Sequence, residues 1–222
     1  MHLPLYQIFA ILGILVGIAF WWRAARTDSQ VLFLYGAGLI GGLLGAKLAY
    51  LLAEGWLYID HPQRMEIWLT GKSVMGALPG GWIGVEIAKK ILHYNRITGD
   101  RFAITLPLPL MLGRIGCLQA GCCLGVITPQ GRWPAVEVEM AFLALLLLLL
   151  LILRAKNAWP TQHFHLFLIT YGLFRFSHEF LRATPKPFFG LSGYQLIALA
   201  TAIAAALAFR HRSKKTFFPG PQ

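Results

Sequence analysis

The sequence predicts an all-α, polytopic integral membrane protein with about seven transmembrane helices. Of the 222 residues, 57% are hydrophobic and only 13% are charged, and the mean hydropathy is +0.60. These values are too apolar for an ordinary soluble domain. The apolar residues also fall in runs of about 20, the length that crosses a bilayer as a helix. We therefore expect one transmembrane domain over residues 1–222, with a basic tail at 210–222.

Polar or glycine- and proline-containing stretches separate the apolar runs and set the predicted bounds of the helices. The second span is rich in glycine and alanine, which favours close helix packing. The third carries Pro79, Gly80 and Gly81, so we expect it to break or to re-enter the membrane. The fifth is a nearly unbroken leucine run. The seven predicted spans are about 5–22, 31–52, 73–92, 102–117, 138–153, 163–180 and 191–209.

Lysine and arginine concentrate in alternate loops and in the C-terminal tail. By the positive-inside tendency, this places the N-terminus outside and the C-terminus in the cytoplasm. The basic residues of the first apolar run follow it, so we expect a span there and not a cleaved signal. Because the excess of Lys and Arg (20) over Asp and Glu (9) is explained by loops facing anionic lipid, no nucleic-acid partner is expected.

Two basic residues, Lys47 and Arg175, lie well inside predicted spans, away from the span ends. An ionisable group in a membrane is costly unless it pairs or faces a wet cavity, so both are functional candidates. The alternative is a structural pairing with carboxylates such as Glu86 or Glu179.

Three further arginines, Arg114, Arg132 and Arg182, fall near the outer ends of spans four to six. If they converge, they form a cationic pocket at the depth of the lipid headgroups. Guanidinium groups suit phosphate because two parallel N–H donors match two phosphate oxygens. The sequence therefore predicts a site for an anionic phospholipid.

All three cysteines, Cys117, Cys122 and Cys123, lie within a single stretch of seven residues. One interpretation is that they are small packing residues. A second is a reactive thiol beside Arg114, or a disulfide between Cys117 and Cys122. Metal binding is the least favoured interpretation, because no His or Asp lies nearby in sequence; we expect neither a metal nor a cofactor.

The stretch "GKSVMG" at 71–76 lacks the spacing of a Walker loop. One interpretation is a membrane re-entry in which Lys72 and Ser73 face the headgroup pocket. The other is an interfacial turn with a snorkelling Lys72.

Several motifs resemble one enzyme family. "GRIGCLQAGCCLG" resembles the signature of the prolipoprotein diacylglyceryl transferases, Gly-Arg-x-Gly-Asn-x-x-Asn-x-Glu-x-x-Gly. "GRWPAVEVEMAF" is similar to their His-Pro-x-Gln-x-Tyr-Glu segment, with Pro134 and Glu139 at matching positions. "PGGWIGV" resembles their His-Gly-Gly-x-x-Gly stretch, and "LFLITYGLFRFSHEFLRATP" with "GLSGYQLIAL" resembles their late helix and Gly-Gln turn.

The resemblance implies an enzyme of the bacterial inner membrane that moves a diacylglyceryl group from phosphatidylglycerol to the cysteine thiol of a lipobox peptide. Arg114 and Arg182 would neutralise the leaving phosphate, and Glu139 matches a retained carboxylate. Cys117 and Cys122 stand where relatives have asparagine and glutamate, and we include them in the catalytic set. The predicted substrate-binding residues are Lys72, Ser73, Gly80, Gly81, Arg132, Arg175, His178, Glu179 and Gln195.

The sequence also departs from the family pattern. Pro79 stands where the motif histidine is expected, and cysteines replace the signature asparagine and glutamate. His178 and Glu179 are possible substitutes, or they pair locally near the headgroups. The alternative function is a non-catalytic lipid-binding or thiol-redox membrane protein, or a subunit of a larger membrane complex, built on the same fold.

Overall fold

Helices make up most of the chain, and their bounds follow the apolar runs. The computed structural model describes residues 3–26 and 28–217, so the last five residues of the predicted basic tail lie outside the described residues. The helices are α1 Leu3–Ala25, α2 Gln30–Ala53, α3 Arg64–Thr70, α4 Val74–Ile91, α5 Gly99–Thr105, α6 Pro107–Ala120, α7 Ala135–Ala155, α8 His163–His178 and α9 Gly193–Phe217. A two-stranded antiparallel hairpin, β1 Ile127–Thr128 with β2 Gly131–Arg132, adds the small β element that the prediction lacked.

Four helical segments within residues 3–26 and 28–217 are long and apolar enough to cross a membrane. They are Gln30–Ala53, Gly99–Ala120, Ala135–Ala155 and Gly193–Ser213, and a shorter apolar segment covers Ile11–Trp22. Leu145, Leu148 and Leu149 of α7 are exposed. An apolar helix surface of this kind is suited to lipid, which agrees with the predicted multi-pass membrane protein.

The predicted break at residues 79–81 is wrong, because α4 runs through Pro79 as one helix. Proline removes a single backbone hydrogen bond, the one to the carbonyl four residues earlier. Here that carbonyl belongs to Met75, in the first turn of α4. A proline so near the start of a helix removes only one of the first backbone hydrogen bonds, so the rest of the helix is unaffected.

Close packing of α2 against α4 confirms the prediction made from the small residues of the second span. Gly41 and Gly45 of α2 face Gly76 and Gly80 of α4, and the two backbones touch. A Cβ on Gly80 would collide with the carbonyl oxygen of Gly41. Glycines four residues apart on both helices therefore permit the crossing.

Asp100, near the start of α5, holds the loop that leads into α8. Its Oδ2 accepts a hydrogen bond from the Thr161 amide at 2.7 Å, and its Oδ1 accepts one from the His163 amide at 3.0 Å. A carboxylate that satisfies the first amides of a helix both caps it and complements its dipole. These hydrogen bonds fix the residue at which α8 begins. They thereby fix the position of the polar residues at the C-terminal end of the helix.

The chain divides into two compact units. The first, which we call the arginine unit, comprises residues up to Phe20, Ile97–Ala183, and residues from Thr201 onward. The second, the glycine unit, comprises Trp21–Arg96 and Thr184–Ala200. The α2–α4 crossing lies in the glycine unit, and the polar cluster described next lies in the arginine unit.

Candidate active site

Glu139, in the second turn of α7, is the centre of a buried polar cluster in the arginine unit. Its side chain is fully buried. Oε1 lies 2.9 Å from Arg114 Nη2 and accepts a hydrogen bond from the Tyr171 hydroxyl at 2.6 Å. Oε2 accepts one from Arg175 Nη1 at 2.9 Å, and Arg182 Nη1 lies 3.7 Å away. Three arginines and a tyrosine therefore surround one carboxylate.

Glu179 is the second buried carboxylate of the cluster. Its Oε2 lies 2.9 Å from Arg175 Nη2 and 3.2 Å from Arg182 Nε. Arg175 thus bridges the two carboxylates, and its predicted pairing with Glu179 is confirmed. We call the following six residues the buried ion cluster: Arg114, Glu139, Tyr171, Arg175, Glu179 and Arg182.

The charges within the buried ion cluster do not cancel. Its three arginines and two glutamates are all buried, at 7% exposure or less. Arginine stays protonated in proteins, so with both glutamates ionised the cluster carries one excess positive charge. The cluster therefore suits an anion with a single negative charge, such as a phosphodiester.

The three cysteines lie beside this cluster, because the end of α6 folds the chain back on itself. Gly121 adopts a left-handed conformation (φ 61°), and the Cys122 amide donates to the Cys117 carbonyl at 3.2 Å. This is a common way to end a helix. The three sulfur atoms all lie within 4.8 Å of one another, and all three cysteines are free thiols. The disulfide considered for Cys117 and Cys122 is therefore not formed in this structure.

Arg114 links the cysteines to the buried ion cluster. Its Nη1 lies 3.5 Å from Cys123 Sγ and 3.8 Å from Cys117 Sγ. Hydrogen bonds with the Cys117 and Cys122 thiols, together with the charges of Arg114 and Arg182, lower the pKa of Cys123. Cys123 is accordingly the thiol most inclined to ionise.

Arg132 is not a member of the buried ion cluster. It lies at the end of the β1–β2 hairpin, where its side chain is exposed and its Nη1 donates to the Gly125 carbonyl at 3.2 Å. Arg114 and Arg182 come together at Glu139.

His178 is buried beside the cluster, and its ring is fixed on two sides. The indole Nε1–H of Trp133, which can only donate, donates a hydrogen bond to His178 Nε2 at 3.3 Å. The imidazole ring stacks on the ring of Phe174. Since Nε2 accepts, the proton of the neutral ring is on Nδ1. This arrangement favours a packing role for His178 over the role of a base acting through Nε2.

Besides Gln195, four predicted substrate-binding residues lie in the glycine unit. Lys72 is exposed, and Ser73 caps α4 by accepting a hydrogen bond from the Met75 amide at 3.3 Å. Gly80 is required by the helix crossing, and Gly81 would bring a Cβ to 3.1 Å from the Gly38 carbonyl.

Gln195 is the remaining predicted substrate-binding residue, and it too lies in the glycine unit. Its side chain and that of Ser192 form a reciprocal cap at the start of α9, with hydrogen bonds of 2.8 Å and 3.2 Å.

One interpretation of the sequence paired Lys47 with Glu86, and the structure does not show this pair. Its Nζ donates to the Gly71 carbonyl at 3.3 Å, and Glu86 pairs with Lys89 at 2.9 Å. A lysine near a helix end reaches a carbonyl oxygen easily because its side chain is long and flexible.

The sequence interpretation missed Tyr171. The signal was present, because Tyr171, Arg175 and Glu179 are spaced four residues apart and so lie on one helix face. Polar groups on one face of an apolar helix indicate a shared buried site.

The family model for prolipoprotein diacylglyceryl transferase matches residues 1–210. The chain belongs to the prolipoprotein diacylglyceryl transferase family. This confirms the resemblance found in the motifs, and with it the assignment of the apolar helices to a multi-pass membrane protein.

Relatives in several bacteria cover most of the chain. The phosphatidylglycerol–prolipoprotein diacylglyceryl transferase of Clostridium tetani is 31% identical over 190 residues, which is 78% of this chain and 76% of the relative. That of Mannheimia succiniciproducens is 30% identical over 86% of this chain and 82% of its own length. That of Dehalococcoides mccartyi is 26% identical over 95% of this chain and 89% of its own. The resemblance thus extends well beyond the motifs.

Proposed function

We propose that this protein transfers a diacylglyceryl group from phosphatidylglycerol to the cysteine thiol of a prolipoprotein. The names of its relatives supply the donor and the acceptor. The observation that carries the proposal is the excess positive charge of the buried ion cluster, since the phosphodiester of phosphatidylglycerol carries one negative charge. Binding this lipid would neutralise the cluster.

The same charge assists the chemistry. In the reaction, the acceptor thiol loses its proton to solvent and its sulfur attacks a glyceryl carbon. A C–S bond forms, and the C–O bond breaks with its electron pair on a phosphate oxygen. Glycerol phosphate leaves with more negative charge than it had as a diester. Arg114 and Arg182 would stabilise this developing charge without rearranging, because Glu139 and Glu179 already hold them in place. They would therefore bind the transition state more tightly than the ground state.

Other roles extend the proposal. Glu139 and Arg175 act as positioning residues, and Cys117 and Cys122 complete the catalytic set. Contact with the lipid or peptide is proposed for Lys72, Ser73, Gly80, Gly81, Arg132, His178, Glu179 and Gln195. The proposed topology is one domain with seven spans in the bacterial cytoplasmic membrane, with the N-terminus outside and the C-terminus inside.

A transfer assay tests the proposal. Purified protein in micelles containing phosphatidylglycerol is mixed with a lipobox peptide, and the peptide mass is followed. We expect the peptide to gain a diacylglyceryl group, and Arg114→Ala to abolish the gain. The matched control is Arg154→Ala, an exposed arginine on α7, which should retain activity. A comparable elution profile for all three proteins on size exclusion shows that the loss is not one of folding.

At Pro79, Cys117 and Cys122 the sequence departs from the family motifs. These departures favour a second candidate function, a lipid-binding protein without transfer activity. This candidate predicts that phosphatidylglycerol co-purifies with the wild-type chain, less so with Arg114→Ala, while the peptide stays unmodified. An unmodified peptide in the wild-type assay, with lipid bound, would overturn the transferase proposal.

A further inference from the structure

We infer that Cys117, Cys122 and Cys123 form a three-thiolate site for zinc, whose open fourth position takes the acceptor thiol. The metal site rests on the geometry of the cysteines alone. Its use by the acceptor rests on the proposed function. The two parts are therefore tested separately.

The spacing of the sulfur atoms fits a metal ion. All three lie within 4.8 Å of one another, and Cys117 Sγ is 3.9 Å from Cys123 Sγ. Sulfur ligands about 2.3 Å from a tetrahedral zinc ion lie roughly 3.8 Å apart. The helix end at Gly121 thus brings the three thiols almost to the separations that one ion requires.

The chemistry of the three ligands selects the ion. Thiolates are soft ligands that favour zinc or copper(I) over magnesium or calcium. Arg114 Nη1 lies 3.5 Å from Cys123 Sγ and 3.8 Å from Cys117 Sγ, close enough to orient both ligands.

The burial of the three residues points to an open site. Cys117 is buried, Cys123 is intermediate and Cys122 is exposed. An ion held by them would keep one side accessible to a further ligand. Zinc sites with three protein ligands and an accessible fourth position are typically catalytic, whereas structural sites have four.

A thiol in that position would be activated. A thiol that coordinates zinc is deprotonated, so its proton passes to solvent and its sulfur keeps the electron pair that attacks the glyceryl carbon. The bases near the cysteines are already engaged. Glu139 and Glu179 are held by arginines, and His178 Nε2 accepts from Trp133. Zinc would supply the activation that these groups do not.

Cobalt(II), a coloured stand-in for zinc, tests the metal site without any transfer reaction. The full-length protein in detergent, under a phosphine reductant, is titrated with cobalt(II). We expect one equivalent to produce a thiolate-to-cobalt charge-transfer band and the intense visible bands of tetrahedral cobalt, both removed by zinc. Histidine ligands alone would give no such charge-transfer band, and its absence in the wild-type protein would overturn the site.

Serine variants identify the ligands. Cys117→Ser, Cys122→Ser and Cys123→Ser should each weaken cobalt binding by at least about tenfold, since even residues that only support a ligand have effects of 10- to 100-fold. The matched control is Leu124→Ser, an exposed neighbour on the same loop, which should bind as the wild type does. An unchanged affinity in all three cysteine variants contradicts the assignment.

The open position is tested with a peptide containing one cysteine. Added to cobalt-loaded protein without lipid, it should strengthen the charge-transfer band, whereas the same peptide with serine should not. Transfer is then compared between zinc-loaded and chelator-treated protein. Equal transfer in both overturns the role of zinc and leaves the proposed function intact. A cobalt site that binds the thiol, without transfer to the peptide, upholds the metal site and removes the proposed function.

Discussion

Arg114 Nη2 lies 2.9 Å from Glu139 Oε1, and both side chains are buried. The arginine belongs to α6 and the glutamate to α7, so the pair ties together the two helices that flank the hairpin. The other terminal nitrogen of Arg114 faces the cysteines. One guanidinium therefore serves both the buried ion cluster and the thiols, and removing its partner should affect both.

Glu139→Gln should destabilise the protein strongly. The change keeps the shape of the side chain but leaves three buried arginines with one carboxylate instead of two. Removing one partner of a buried ion pair costs about 3–5 kcal/mol. The free energy of unfolding in detergent measures this cost. Glu137→Gln, an exposed glutamate on the same helix, is the control and should change it by less than about 0.5 kcal/mol. Equal effects of the two changes would show that the cluster does not stabilise the fold.

Gly80→Ala should loosen the packing of α2 on α4. The new Cβ meets the backbone oxygen of Gly41, which cannot move aside as a flexible side chain could. Overpacking of this kind costs about 1–3 kcal/mol. Gly36→Ala in α2 is the matched control, because its Cβ meets nothing within 4 Å. It should stabilise the helix by about 0.5–1 kcal/mol, the usual difference between glycine and alanine. Thermal unfolding of the two variants should therefore shift in opposite directions.

Gln195→Ala should destabilise the start of α9. The change removes the bond from the Ser192 amide to Gln195 Oε1 and leaves that amide buried. Loss of a helix cap costs about 0.5–2 kcal/mol. Gln130→Ala, in the exposed turn of the hairpin, removes the same side chain and should have little effect. If both variants unfold alike, Gln195 has no capping role.

Cys123 should react with alkylating reagents at unusually low pH in metal-free protein. Its pKa is lowered by hydrogen bonds with the Cys117 and Cys122 thiols and by the nearby arginines. A lowered pKa means that the reactive thiolate persists as the pH falls. An ordinary thiol, with a pKa of about 8.5, loses about a hundredfold in rate between roughly pH 8 and 6. Peptide mapping after iodoacetamide treatment should show a clearly smaller loss at Cys123. A slope equal to that of a reference cysteine peptide would contradict the prediction.

The sequence predicted the helices well because their signal is local. An apolar run of about 20 residues is readable without knowing its neighbours. The helices α1, α2, α7 and α9 contain or closely match the predicted runs. The glycines of the second span likewise predicted a close helix contact, since small residues on one face have few other uses. The motifs around Arg114 and Glu139 indicated the family for the same reason, because a motif is a local pattern.

What the sequence by itself determined is thus an apolar helical chain, its family, and the residue types available for a phosphate site. Only the tertiary structure decided which of them meet. It joined Arg114, Arg175 and Arg182 around Glu139, left Arg132 on an exposed hairpin, and gathered three thiols at a helix end. The reason is physical. Burial makes a charge costly unless a partner lies within a few ångströms. That distance depends on how helices far apart in sequence pack together, which no local pattern records.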